Sequence, residues 1–175
     1  MVASVLVREY NGPSSSEVAT DKTSGEIRFK AADDATVDLN DPVVIPGSGQ
    51  EHSMEKYIRM RIGGTGPDTQ ITSLTFYTDG ANGYGTGVNA YYDTEASYIT
   101  PVIPSNANTI PQHAATPMVT IFGLTSGAPL SLGAGPFSSI NADMGLYLLL
   151  VMTALSTASP GVTASETLTF GYDEI

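Results

Sequence analysis

Residues 54–62 read Met-Glu-Lys-Tyr-Ile-Arg-Met-Arg-Ile, and side chains of two kinds alternate along this stretch. The even-numbered positions are mainly apolar: Met54, Ile58, Met60 and Ile62. The odd-numbered positions are charged or aromatic: Glu55, Tyr57, Arg59 and Arg61. Successive side chains of a strand point to opposite faces, so this period of two predicts a β-strand with one face in the core.

Several other stretches predict strands in the same way. Residues 26–31, 71–78 and 167–172 alternate with period two, and residues 4–10, 88–92 and 118–122 are shorter candidates. Residues 145–155 are apolar on both faces, which is typical of a central strand covered on both sides. A buried helix could show the same apolarity, but the turn residues on either side favour a strand. The predicted fold class is therefore all-β, an antiparallel β-sandwich of jelly-roll type.

The 175 residues suit one domain, residues 1–175, within which we interpret residues 1–25 as an extended N-terminal arm. Eighteen glycines and eleven prolines mark the predicted turns and loops. Two Pro/Gly-rich loops, residues 101–117 and 123–136, are long for a compact domain. Long loops of this kind often carry binding functions.

The charge of the chain excludes two classes of partner. The net charge is −11, and all seven basic residues lie within the first 61 positions. Phosphate backbones and anionic membrane surfaces are bound through cations, so we expect neither nucleic acid nor membrane as a partner. The most apolar stretch is about half of a bilayer span, which also argues against a membrane segment. Two interpretations of the acidic surface stay open. It keeps the protein soluble through self-repulsion, or it docks on a basic or neutral protein scaffold.

Residues that carry catalysis are scarce in this sequence. Cysteine is absent, and the two histidines, His52 and His113, fall in predicted loops and are interpreted as exposed. No Gly-x-Ser-x-Gly motif is present. We therefore predict no catalytic residue, no cofactor and no enzymatic activity. A hydrolase whose acid pair or histidine-centred site forms only in three dimensions is the alternative.

Calcium is the one metal that the sequence brings into consideration. Acidic side chains are dense in one loop, at Asp33, Asp34, Asp38 and Asp41, and residues 79–83 (Asp-Gly-Ala-Asn-Gly) are a second oxygen-rich segment. Calcium prefers several oxygen ligands from flexible loops, but Asp and Asn also form ordinary Asx turns. Neither segment has EF-hand spacing, and both interpretations stay open.

Tyrosines are concentrated in one part of the chain and suggest an interface. Five of them fall between positions 77 and 98, and tyrosine offers a large contact area for little lost rotamer entropy. The predicted interface residues are Arg8, Tyr10, Tyr77, Tyr84, Tyr91 and Tyr92. Residues 83–87 (Gly-Tyr-Gly-Thr-Gly) lack the Lys-Ser/Thr of a phosphate-binding loop and are predicted to be a loop tip.

Three stretches together resemble a known class of proteins. They are residues 71–88 (ITSLTFYTDGANGYGTGV), residues 129–137 (PLSLGAGPF) and residues 166–175 (ETLTFGYDEI). With residues 5–12 (VLVREYNG), this pattern is similar to that of small virion structural proteins of tailed bacteriophages, of the capsid decoration or accessory type.

The resemblance implies a particle component without an active site. It implies a location in the virion, the major capsid protein or other virion proteins as partners, and a homotrimer on the outer surface of the head. In this role residues 1–25 would reach the shell or an adjacent copy. The alternatives are a tail, neck or head-fibre component that contacts host glycans through Tyr84, Tyr91, Tyr92, Asp79 and Asn82, and a bacterial surface domain.

Overall fold

The computed structural model describes residues 3–66, 70–161 and 164–175. Nearly all regular structure in these residues is β-strand, with one 3₁₀ turn at Ile121–Gly123. The strands are β1 (Val5–Asn11), β2 (Val18–Asp21), β3 (Gln50–His52), β4 (Lys56–Ile62), β5 (Ile71–Tyr77), β6 (Val88–Glu95), β7 (Gln112–His113), β8 (Thr116–Pro117), β9 (Val119–Thr120), β10 (Leu130–Gly133), β11 (Asp143–Leu155) and β12 (Thr169–Glu174).

The strands form two main antiparallel sheets. The large sheet has the order β2-β1-β4-β11-β6-β9, and β3 pairs with the C-terminal end of β11. The small sheet has the order β10-β5-β12, and β7 and β8 form a separate pair. The predicted all-β, antiparallel class is thus confirmed, and the arrangement is sandwich-like. The jelly-roll connectivity stays a prediction.

One face of the large sheet, here called the inner face, packs against the small sheet. The shared core contains fully buried side chains from both sheets: Ile58, Met60, Leu148 and Leu150 from the large sheet, and Leu74, Phe76 and Leu132 from the small sheet. Gly145 allows the close approach of β11 to β10, because it has a φ of 63° and a Cβ there would clash with the carbonyl oxygen of Leu132.

The other face of the large sheet, here called the outer face, carries an aromatic cluster. Its buried members are Tyr10, Tyr57, Met118, Tyr147, Leu149 and Val151. The segment of residues 96–117, here called the covering loop, lies over this cluster and inserts Tyr98, whose ring centroid is 5.0 Å from that of Tyr57. Strand β11 is therefore buried on both faces, as its unbroken apolarity predicts.

The structure corrects three sequence-based expectations about local structure. Strand β1 lies between β2 and β4, so residues 5–21 belong to the large sheet and are not a free arm. Residues 26–31 form no strand, although Ile27 and Phe29 still pack against the inner-face core. Residues 118–122 contain a strand of two residues that leads into the 3₁₀ turn. No helix in the described ranges has the length and apolarity to cross a membrane.

Candidate functional site

Three segments meet at one end of the molecule: the β1–β2 turn, residues 33–39 and residues 98–103. The amide of Gly12 donates to Asp33 Oδ2 at 2.6 Å, and the hydroxyl of Tyr98 donates to the carbonyl oxygen of Gly12 at 2.6 Å. The amide of Ser14 donates to Thr100 Oγ1 at 2.9 Å. Residues 12–18 thus contact both residues 33–39 and residues 98–103, and these three segments together are here called the loop end.

The loop end exposes aliphatic side chains that the fold does not use. Val18 is 65%, Leu39 69% and Val102 54% exposed, and Val37, Ile99 and Ile103 on the same loops are also exposed. Single exposed aliphatic residues are ordinary, and Ile140 and Ile175 near the opposite end are examples. The concentration of six such side chains on three joined segments makes the loop end a candidate surface for a protein partner.

The covering loop separates its residues into an inward and an outward set. Pro101, Pro104, Pro111 and His113 are buried against the outer face, whereas Ile99, Val102, Ile103 and Ile110 point to solvent. Prolines restrict the backbone of the covering loop, and its buried side chains hold the loop on the outer face. The aliphatic side chains are therefore presented on an ordered support.

A buried network of charges lies beneath the loop end. Glu9 and Lys56 are both fully buried, and the Lys56 ammonium lies 2.8 Å from Glu9 Oε1. Lys22 lies 3.5 Å from Glu9 Oε2 and donates to the carbonyl oxygens of Glu26 and Ala35. Lys56 also donates to the carbonyl oxygen of Asp34 at 2.6 Å. These bonds tie the loop of residues 33–39 to β1 and β4.

Two of the four aspartates considered for calcium, Asp34 and Asp38, pair with a lysine beside this network. The buried Lys30 ammonium lies 2.6 Å from Asp34 Oδ2 and 2.7 Å from Asp38 Oδ1. These hydrogen bonds lower the pKa of both carboxyls and raise the pKa of Lys30.

The other two aspartates have different surroundings. Asp33 accepts from the Asn11 side-chain amide at 2.7 Å and from Gly12, and Asp41 is exposed and its carbonyl oxygen accepts from Ala31. The described residues contain no group of three or more His, Asp or Glu side chains placed to hold a metal ion. In the second oxygen-rich segment, Asp79 and Asn82 close turns by accepting from the amides of Ala81 and Tyr84.

A groove of about 250 Å³ opens beside this network at the loop end. Its lining combines acidic, hydroxyl, amide and aliphatic side chains: Asn11, Val18, Thr20, Asp33, Asp34, Ala35 and Thr36. Asn11 is 9% exposed, and its Oδ1 has no hydrogen-bond partner among the described residues, although its amide nitrogen donates to Asp33. A buried acceptor without a donor is rare, because leaving it unpaired costs about 1–3 kcal/mol.

Both histidines are buried, so their predicted exposure is wrong. His113 contacts two carboxylates, with Nδ1 at 2.7 Å from Glu55 Oε1 and Nε2 at 3.1 Å from Glu95 Oε1. His52 contacts Thr153 Oγ1 at 2.8 Å and the carbonyl oxygen of Asn108 at 3.1 Å. Burial lowers the pKa of His52. Each histidine therefore ties the covering loop to the body of the large sheet.

All seven basic side chains have partners within the chain. The three lysines are buried in the network described above. Arg28 pairs with Glu26, Arg61 pairs with Asp143, and Arg8 donates to the carbonyl oxygen of Ala19. Arg59 donates to the carbonyl oxygens of Met144 and Gly145, and its guanidinium lies 4.5 Å from the centroid of the Tyr147 ring. The charges left for external partners are therefore mainly negative.

The tyrosines predicted as interface residues do not share one surface. Tyr10 is buried in the outer-face cluster at 4% exposure, which excludes it from an interface. Tyr91 packs on the outer face, and Tyr92 packs on the inner face. Tyr84 packs between Phe29 and Phe122, where burial raises its pKa, and Tyr77 is half-buried on β5. Tyr84, Tyr91 and Tyr92 thus do not form a sugar-binding platform.

The sequence contained part of the signal for the loop end. It indicated the long loop and Asp33, but the exposed aliphatic residues and Asn11 carried no recognisable pattern.

Comparison with known proteins adds no relative to this description: no family model, no curated protein and no solved structure matches the chain.

Proposed function

We propose that this chain is a non-enzymatic structural protein of a phage virion, which docks on the outer surface of the head as a decoration protein. The loop end is the docking surface in this proposal, and the major capsid protein is the partner. The observation that carries it is the set of exposed aliphatic side chains on three joined loops. The sequence resemblance suggests a phage virion as the particle. The exposed aliphatic side chains of the loop end support a docking surface on this chain.

The energetics of the loop end favour association with a protein. Complete burial of one valine or leucine side chain stabilises a complex by roughly 1.5–3 kcal/mol. Three well-exposed residues, Val18, Leu39 and Val102, therefore provide a useful fraction of a binding free energy. The loops are already held by hydrogen bonds and buried lysines, so little conformational entropy is lost when a partner binds.

The proposed trimer has to form against electrostatic repulsion. Copies with a net charge of −11 repel one another in solution. Assembly on a capsid surface of opposite charge offsets this repulsion. A shell-bound trimer that is monomeric in dilute solution is consistent with the proposal.

One substitution at each end of the molecule tests the proposal. We expect Val102→Asp to weaken binding to purified heads that lack the protein by tenfold or more, on the order expected for burying an unpaired charge. Ile175→Asp is the matched control, because Ile175 is 64% exposed and neighbours the β12 end that contacts Ala3. It should bind like the wild type in a co-sedimentation assay.

Two outcomes would contradict the proposal. Equal binding by both variants would exclude the loop end as the docking surface. Failure of the wild type to bind heads, with binding to tails or neck structures instead, would favour the tail, neck or head-fibre alternative.

A further inference from the structure

Three buried side chains of the charged network lie together in a way that suits a covalent reaction. Lys56 and Glu9 are fully buried, and Asn11 is 9% exposed. Glu9 Oε1 lies 2.8 Å from the Lys56 ammonium and accepts from the Asn11 amide nitrogen at 3.3 Å. One carboxylate oxygen therefore contacts an amine and a carboxamide, which are the two groups that an isopeptide bond joins.

The strand register brings Lys56 and Asn11 to the same place. Strands β1 and β4 are antiparallel, and Tyr10 pairs with Tyr57. The next positions along the two strands are Asn11 and Lys56, so these residues lie opposite each other. Side chains of opposite residues share one face of the sheet, with Cβ atoms about 4.5–5.5 Å apart. The Lys56 amine is therefore within reach of the Asn11 side chain without movement of either strand.

Burial and the Glu9 carboxylate together supply the activation that an amine nucleophile needs. Lysine attacks a carbonyl carbon only as the neutral amine, and desolvation favours that form. Glu9 is at hydrogen-bond distance from the Lys56 ammonium and is placed to accept its proton. Glu9 also contacts the Asn11 amide nitrogen, so it is placed to pass a proton to the group that leaves.

We propose that Lys56 and Asn11 join in an intramolecular isopeptide bond, with Glu9 as the catalytic residue. Glu9 accepts a proton from the Lys56 ammonium, and the free amine attacks Asn11 Cγ. The bond between Nζ and Cγ forms, and the bond between Cγ and Nδ2 breaks. Two protons move through Glu9 from Nζ to Nδ2, so the Asn11 nitrogen departs as ammonium and Glu9 is again a carboxylate. The reaction requires no oxidant, reductant or external reactant.

The bond removes a buried charge and links two strands of the large sheet. Before the reaction the Lys56 and Lys22 ammonium groups both lie against Glu9, and after it Lys22 alone remains there. A buried charge without its own partner is costly, so the loss of one cation favours the product. A covalent link between positions 11 and 56 also stabilises the fold by restricting the unfolded chain. The sequence contains no cysteine, so no disulfide can provide such a link.

The test is the intact mass of the purified full chain in denaturant, compared with the mass of its sequence after allowance for removal of the first methionine. We expect a loss of about 17 Da, the mass of ammonia. Trypsin does not cut after an acylated lysine, so the digest should contain residues 9–22 joined to residues 31–59. A wild-type chain of unaltered mass whose two peptides are separate would overturn the inference.

A second reaction of Asn11 also releases ammonia and has to be distinguished. The amide of Gly12 can close a succinimide on the preceding asparagine, which gives the same change in mass but no joined peptide. Lys56→Arg separates the two reactions, because a guanidinium stays protonated and does not attack, whereas succinimide closure does not involve position 56. Loss of ammonia from Lys56→Arg at the wild-type level would contradict the isopeptide assignment.

Two further variants test the role of Glu9. Glu9→Gln retains the shape of the side chain but cannot accept the proton, so we expect the full mass and no joined peptide. Lys30→Arg is the control at another buried lysine and should lose ammonia like the wild type. A joined peptide from Glu9→Gln at wild-type yield would exclude Glu9 as the catalytic residue. Circular dichroism verifies that the variants fold, and the wild-type peptide decides the inference even where a variant does not.

Discussion

The two faces of the large sheet are covered in different ways. The inner face packs against hydrogen-bonded strands across an apolar core. The outer face is covered by a proline-rich loop, which Tyr98, His113 and contacts to His52 hold in place. A sheet cover is stabilised along its whole length, whereas a loop cover depends on a few polar anchors. We therefore expect the outer face to lose its cover locally while the sandwich stays folded.

The difference also relates to the proposed function. The covering loop uses its inward side for anchors and its outward side for exposed aliphatic residues. We therefore expect the loop cover to be less stable than the small sheet, and in the proposed function it contributes part of the docking surface.

The largest expected effect on the free energy of unfolding comes from truncating two adjacent residues of β11 that point to opposite faces of the large sheet. Leu148 and Leu149 are both fully buried. We expect Leu148→Ala to lower the free energy of unfolding by about 3–5 kcal/mol and Leu149→Ala by about 2–3 kcal/mol, because a loop can relax into a cavity more easily than a sheet. Urea denaturation of the two variants measures this. A larger loss for Leu149→Ala would contradict the proposed difference between the covers.

An intermediate effect is expected at the His113 anchor. His113→Gln should lower the free energy of unfolding by about 1–3 kcal/mol, because the buried Glu55 Oε1 loses its partner while Oε2 keeps only the bond from the Val102 amide. Hydrogen exchange should become faster in the covering loop and stay unchanged in β5 and β12. Glu95→Gln is the milder control, since Glu95 is more exposed. Equal acceleration of exchange in both sheets would show that the loop does not open independently.

The smallest effect is a pH dependence that arises from His52. Burial lowers the pKa of His52 in the folded state, whereas the unfolded chain takes up this proton near pH 6.5. Stability should therefore fall as the pH drops below about 6.5, by less than about 1.4 kcal/mol for each pH unit. The measure is the difference between wild type and His52→Asn, because His113 is present in both. No difference between their pH profiles would contradict a neutral, buried His52.

The fold class could be read from the sequence because alternation directly reflects a strand with one buried face. Residues 54–62 and 71–78 both gave the correct face for their core residues. Residues 26–31 show the same alternation but form no strand, and their backbone makes only isolated bonds, such as Met54 N–H to the carbonyl oxygen of Lys30. The alternation also fails to give burial here, because Lys30 is buried against Asp34 and Asp38 whereas Ala31 is exposed.

The site was less predictable because its contacts are distant in sequence. The sequence placed Asp33 in an acidic loop, but nothing in it showed that Lys30 and Lys56 would be buried beneath that loop. The anchors of the covering loop join positions far apart in the chain, such as Glu55 with His113. The burial of Tyr10 is hidden from the sequence for the same reason, since its partner Tyr147 lies on another strand.

Electron cryo-microscopy of decorated heads tests the central claim most directly, because it shows the location and the orientation of the chain together. We predict density for the chain on the outer surface of the shell, with Val18, Leu39 and Val102 facing the capsid protein. Heads decorated with the loop end facing solvent, or carrying no density for the chain, would contradict the account.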